Sequence, residues 1–72
     1  MSANGGYHLI LASSVGERDG MALELTRDLD GERIAEVFQE DETGIRIFAL
    51  FVFEPLPLEI LRWFIESVDE RL

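Results

Sequence analysis

The sequence predicts an α+β domain of ββββα order, a four-stranded antiparallel β-meander followed by one C-terminal α-helix packed on one sheet face. Three observations carry the prediction. Met21 to Thr26 alternates apolar and polar residues, as a half-covered strand does. Two turn signals, Asp30-Gly31 and Glu40-Asp41-Glu42-Thr43-Gly44, separate strand-sized segments. Beyond Pro55 and Pro57 the apolar spacing changes from two to three and four.

In chain order, Met1 to Gly6 is small and polar and reads as a flexible leader, so the single domain spans 7–72. Tyr7 to Ser13 is a short apolar run suited to a strand, closed by the polar, glycine-bounded stretch Ser14 to Gly20. In the second strand Met21, Leu23 and Leu25 share one face, and Ala22, Glu24 and Thr26 share the other. Asp30-Gly31 then favours a tight hairpin, and strand three is predicted from about Glu32 to Gln39. Ile34, Val37 and Phe38 have helical spacing, but the turns on both sides leave only a strand's length. Gly44 ends the next hairpin loop, and Ile45 to Phe53 is the most apolar strand.

The helix is predicted from about Pro57 to Arg71. Pro57 suits the first turn, where its missing N–H costs nothing, and Glu59 complements the helix dipole. Leu58, Leu61, Ile65, Val68 and Leu72 form the stripe expected to pack on the sheet, with Ile60 and Trp63 on its flank.

The chain has 72 residues, 15 acidic against 6 basic, for a net charge of -9, and 47% of it is apolar. A domain of this size buries only about 60% of the surface its unfolded chain exposes, so self-association is a natural supplement to its core. There is no room for separate cofactor and substrate domains, and no cofactor is expected. Without cysteine there are no disulfides, thiolate metal sites or thiol nucleophiles. All six basic residues are arginine, which fits a GC-rich coding bias or an acidic, salt-adapted surface. The apolar run Ile47 to Phe53 is far shorter than the ~20 residues of a membrane-spanning helix, so no membrane is expected and the location is expected to be cytoplasmic.

One helix covers one face of a sheet, which leaves the other face to water or to a partner. Strand four is apolar on both: Ile45, Ile47, Ala49, Phe51 and Phe53 point one way, and Phe48, Leu50 and Val52 the other. Exposing such a face makes an apolar patch that monomers avoid. A homodimer is therefore expected, built on the second sheet face or on exchanged strands, with Phe48, Leu50, Val52, Ile60 and Trp63 as its apolar dimer or partner surface.

Acidic residues crowd the stretch from Glu17 to Glu42, where ten acids face three arginines. They serve solubility and guard strand edges, or they form a footprint for a basic protein partner. On the second view Asp28, Asp30, Glu32, Glu40, Asp41 and Glu42 are the partner-binding acids of the hairpin loops. Direct nucleic-acid binding is not expected from six scattered arginines under a large opposing charge. Small acidic proteins that occupy the basic groove of a nuclease or similar effector, such as immunity proteins, antitoxins and phage-encoded inhibitors, are similar in size and charge. The similarity is one of composition and involves no motif.

No catalytic or metal site is predicted. His8 is the sole histidine, and strand alternation sets it on the opposite face from Ser13. Asp28-Leu29-Asp30-Gly31-Glu32 resembles a fragment of a calcium loop but lacks the later ligands. Glu36 lies between Ile34 and Phe38, and if buried it needs Arg27, Arg33 or Arg46 as partner. An enzymatic function would require a composite pocket in an oligomer, lined by groups such as Tyr7, His8 and Glu36. The function expected is a small, acidic, non-enzymatic protein-binding module, an inhibitor or regulator of a basic nucleic-acid-handling protein. The alternative is a homodimeric structural or assembly domain whose acidity serves solubility only.

Overall fold

A computed structural model describes residues 5–14 and 19–72, with the side chain of Ser14 outside that description. Most of the expected leader, residues 1–4, lies outside it, as do residues 15–18 of the first connection. Four strands, β1 (Tyr7–Ser14), β2 (Gly20–Arg27), β3 (Arg33–Glu40) and β4 (Arg46–Leu50), form one antiparallel sheet in the order of the chain. The helix α1 (Leu58–Arg71) follows, completing the predicted ββββα fold.

Both described hairpins are built alike. Arg27 N–H donates to the Glu32 carbonyl and Gly31 N–H to the Arg27 carbonyl, both at 2.9 Å. At the next hairpin Glu40 N–H donates to the Ile45 carbonyl at 3.0 Å and Gly44 N–H to the Glu40 carbonyl at 2.9 Å. Each loop therefore has four residues and ends on a glycine in the left-handed region, Gly31 at φ +70 and Gly44 at φ +72. The residue before each glycine closes the turn: Asp30 Oδ1 accepts from Glu32 N–H, and Thr43 Oγ1 accepts from Ile45 N–H. The loops are longer than the two-residue connection that Asp-Gly favours, because the turn begins at Asp28 and Asp41.

Between β2 and β3 the register slips by one at Leu25/Thr26, so that Leu25 opposes Ala35 while Thr26 opposes Arg33. The extra residue, Ile34, is buried in the core cluster with Leu25 and Ala35. This bulge corrects the expectation that Ile34 shares a face with Glu36 and Phe38. It is also why Ile34 resembled a helical spacing in the sequence: two neighbouring β3 residues pack to the same side.

One face of the sheet carries Leu9, Leu23, Leu25, Ala35 and Val37, and α1 packs on it, closest to β1 and β2. A helix about 10 Å across spans roughly two strand spacings of ~4.8 Å, so one helix leaves part of a four-stranded sheet bare. Here the bare part is β4. That strand is also shorter than the predicted Ile45 to Phe53: pairing ends at Leu50, with one further bond from Phe51 N–H to the Ile34 carbonyl. The chain then turns away through Pro55 and Pro57. Pro57 is the N-cap rather than the first helical residue, and its carbonyl accepts from Ile60 and Leu61 N–H.

The helix is rotated from its predicted orientation. Ile60, Phe64, Ser67 and Val68 are its buried residues, whereas Leu58, Leu61 and Ile65 are exposed. The buried row lies one residue, about 100° of helical turn, away from the expected stripe. Both rows are apolar, and the one with the largest side chain wins: Phe64 is fully buried among Leu23, Leu25 and Ile34. Ser67 follows into the core because its hydroxyl donates to the Trp63 carbonyl at 2.8 Å.

On the face away from the helix, Phe38 and Ala22 are also buried. The Phe38 ring lies over Gly20, where an added Cβ would meet Phe38 Cζ at 2.6 Å and the Gln39 carbonyl oxygen at 2.2 Å. Gly20 is needed there for space. No helix among the described residues is long and apolar enough to cross a membrane.

Candidate functional site

Antiparallel order puts the two described hairpin loops at opposite ends of the sheet. Asp28, Asp30 and Glu32 lie at one end and Glu40, Asp41 and Glu42 at the other, separated by the eight residues of β3, roughly 25 Å. The six loop acids do not form one patch.

At the first end Asp28 and Asp30 are engaged within the fold. Arg27 grips Asp30 with both arms, Nε to Oδ1 at 3.1 Å and Nη2 to Oδ2 at 3.0 Å, and its Nη1 donates to Glu54 Oε1 at 2.5 Å. The Arg27 bonds, with a second contribution from Glu32 N–H, hold the Asp30 carboxyl below the usual carboxylate range. The same bonds raise the proton affinity of the guanidinium. Asp28 Oδ1 lies 2.5 Å from His8 Nδ1, and Asp28 N–H donates to the Gly6 carbonyl at 2.9 Å. At the second end Glu40 accepts from the Thr43 hydroxyl at 3.1 Å, while Asp41 N–H donates to the Asp19 carbonyl at 3.0 Å, which brings Asp19 beside Asp41.

The open sheet face has a charged centre. Glu24 and Glu36 are directly opposed across β2 and β3, a repulsive placement. The bulge brings Arg33 onto this face, where its Nη1 is 3.4 Å from Glu24 and 3.7 Å from Glu36. Arg33 is thus the partner that Glu36 required. Its guanidinium also sits 4.4 Å from the centroid of the Phe51 ring. A homodimer on the middle of this face would have to bury that charged group, and the large exposed apolar residues of the face stand toward its margins, at Ile10, Ile45, Ile47 and Phe51.

The apolar opening is elsewhere, along β4. Phe48 is 51% and Leu50 53% exposed on the helix side of the sheet, because α1 does not reach them. A groove of about 240 Å³ runs between strand and helix, lined by Val37, Arg46, Phe48, Ile65, Val68 and Asp69. One wall is β4, with Arg46 and Phe48, and the other is the helix, with Ile65, Val68 and Asp69; Leu58 and Leu61 are exposed at helical spacing from Ile65. Arg46 spans its end, with Nη1 2.7 Å from Asp69 Oδ1 and Nε 2.7 Å from Gln39 Oε1.

Of the five residues expected to form an apolar surface, Phe48 lines this groove and Leu50 is exposed two residues along the same face of β4. Ile60 is only 7% exposed and belongs to the core, and Val52 and Trp63 are half-buried against it. The helix rotation makes this exchange, drawing Ile60 inward and turning Leu58, Leu61 and Ile65 out. The sequence pattern predicts those three in the core, and the structure exposes them. The signal that could have found them is the adjacent pair Trp63 and Phe64, the two bulkiest apolar side chains of the helix, both out of phase with the predicted stripe.

The groups considered for catalysis are dispersed. Tyr7 faces the helix side and His8 the open side, where it opposes Thr26; Ser13 opposes Met21 on the helix side. Among the described residues no group of three or more His, Asp or Glu converges to hold a metal ion. Comparison of the chain with family models, with curated proteins and with solved structures returns no match.

Proposed function

We propose that this chain is a non-enzymatic protein-association module whose working surface is the opening between β4 and α1. The observation that supports it is the rotation of the helix, which leaves Leu58, Leu61 and Ile65 exposed, with Ile65 across the groove from an equally uncovered Phe48. Isolated exposed leucines are ordinary, but a continuous apolar channel with a charged rim at Arg46 and Asp69 is the composition of an interface. The charge of -9 favours a basic protein as partner in a second reading, an inhibitor or regulator of the kind its composition suggests. Such a partner would meet the end carrying Glu40, Asp41 and Glu42, since Asp28 and Asp30 are already engaged by His8 and Arg27.

A photo-crosslinking side chain placed at Ile65 distinguishes these readings in cells. A covalent protein adduct at 65, absent when the same group replaces Leu29 of the distant β2–β3 loop, supports association through the groove. No adduct at 65, with adducts at Glu42, transfers the function to the acidic end.

A further inference from the structure

Resting on the association reading above, we infer that the occupant of the opening is a second copy of this chain, paired antiparallel along β4 so that Phe48 lies opposite Phe48 of the second copy. The hydrogen-bond phase of the sheet supplies the first step. Glu40 N–H donates to the Ile45 carbonyl and Phe51 N–H to the Ile34 carbonyl. Along an antiparallel strand, alternate residues direct both backbone groups to the same neighbour. Ile45, Ile47, Ala49 and Phe51 therefore turn theirs to β3, and the N–H and C=O groups of Arg46, Phe48 and Leu50 point away from the sheet.

This edge is unguarded. Native edges are blunted by charges, prolines or a covering element, yet from Ile45 to Phe53 the one charged residue is Arg46, which is held by Asp69, and no proline occurs before Pro55. The opposite edge, β1, differs: α1 lies near it, and Tyr7 and Leu9 are half-buried against the core.

Pairing about a two-fold axis at Phe48 satisfies every outward group at once. Phe48 exchanges both bonds with its counterpart, while Arg46 pairs with Leu50 of the second copy and Leu50 with its Arg46. The product is a continuous eight-stranded sheet. Two phenyl rings meet on the helix side, flanked by Ile65 and Leu61 of both copies, and Ile47 meets Ala49 on the other side.

Charge and area both favour a copy over an unrelated partner. Two molecules of net charge -9 repel wherever their acids approach, and β4 itself carries no acid, while Asp69 beside it is paired with Arg46. A basic partner would gain nothing there. The exposed parts of Ile45, Ile47, Phe48, Leu50, Phe51, Leu58, Leu61 and Ile65 together come to roughly 700 Å², the ceiling on what this pairing buries, against the ~800 Å² per partner of a standard stable interface.

The test is sedimentation across the micromolar range with residue-resolved amide exchange. The expected species has twice the 8.2 kDa chain mass, with the Arg46, Phe48 and Leu50 amides protected as well as those of Ile47 and Ala49. Phe48→Glu and Phe48→Lys should each weaken pairing by roughly 30-fold or more, and an equimolar mixture should restore it, because the two-fold places these side chains face to face. Far-UV circular dichroism verifies that both variants fold, as a half-exposed site allows. A dimer in which the Arg46, Phe48 and Leu50 amides exchange freely overturns β4 pairing. A monomer throughout overturns self-association, while an Ile65 adduct with a different protein would leave the association reading standing.

Discussion

The two sides of this sheet, the part beneath α1 and the part at β4, are equally apolar in sequence and opposite in fate. Leu23 and Leu25 are sealed by the helix, while Phe48 and Leu50, on the same face two strands away, are half open. The difference lies in coverage. A 14-residue helix has the width to close over two strands, and its rotation commits Phe64 to the β2 side. What remains uncovered is the apolar surface on which the proposed association rests.

The sharpest way to break the contrast is to mutate two helix neighbours, Phe64 and Ile65. Phe64→Ala removes a fully buried ring and should cost about 3–5 kcal/mol in urea unfolding, much of the stability of a domain this size. Ile65→Ala, at a site 47% exposed, should cost well under ~1 kcal/mol in the monomer and act instead on association. Equal losses at both sites would mean that the helix is not oriented as described.

A second test concerns the open face, which no helix covers. If Phe38 is sealed there by close packing on Gly20, then Gly20→Ala should destabilise by about 1–3 kcal/mol, read as a lowered melting temperature. A neutral result would show that the ring does not lie on the glycine.

The paired loops refine the comparison further. Gly31→Ala and Gly44→Ala each force alanine into the left-handed region, at about 1–2 kcal/mol by chemical denaturation. Only Gly44 anchors β4, so Gly44→Ala should also weaken dimerisation, whereas Gly31→Ala should leave it unchanged.

The smallest effect concerns acid. Because the folded Asp30 carboxyl is held below its unfolded value, its contribution is present above the unfolded value near ~3.9 and is lost as pH falls through the lower, folded one. Urea midpoints of the wild type and Asp30→Asn should therefore differ at neutral pH and converge below about pH 4. A constant difference across that range would deny the Arg27–Asp30 pair its role.

Much of the fold was legible because local chemistry dictates it. Alternation at Met21–Thr26, the glycines at 31 and 44, and Pro57 with Glu59 each act within a few residues, and they mark β2, the two described hairpins and the start of the helix. The β3 bulge was not legible, since nothing near Ile34 marks an inserted residue. The candidate site was half legible: Phe48 and Leu50 follow from a strand apolar on both faces, but Leu61 and Ile65 do not follow from a helix with two apolar rows.

By itself the sequence determined the ββββα order, the hairpin glycines, the excess of acid and a surplus of apolar surface, all properties set by residue type and spacing. Tertiary structure decided which helical row is buried, that the loop acids stand at opposite ends, and that β4 is the uncovered edge. Those outcomes depend on the fit of Phe64 among Leu23, Leu25 and Ile34, side chains far apart in the chain, and no local pattern encodes that fit.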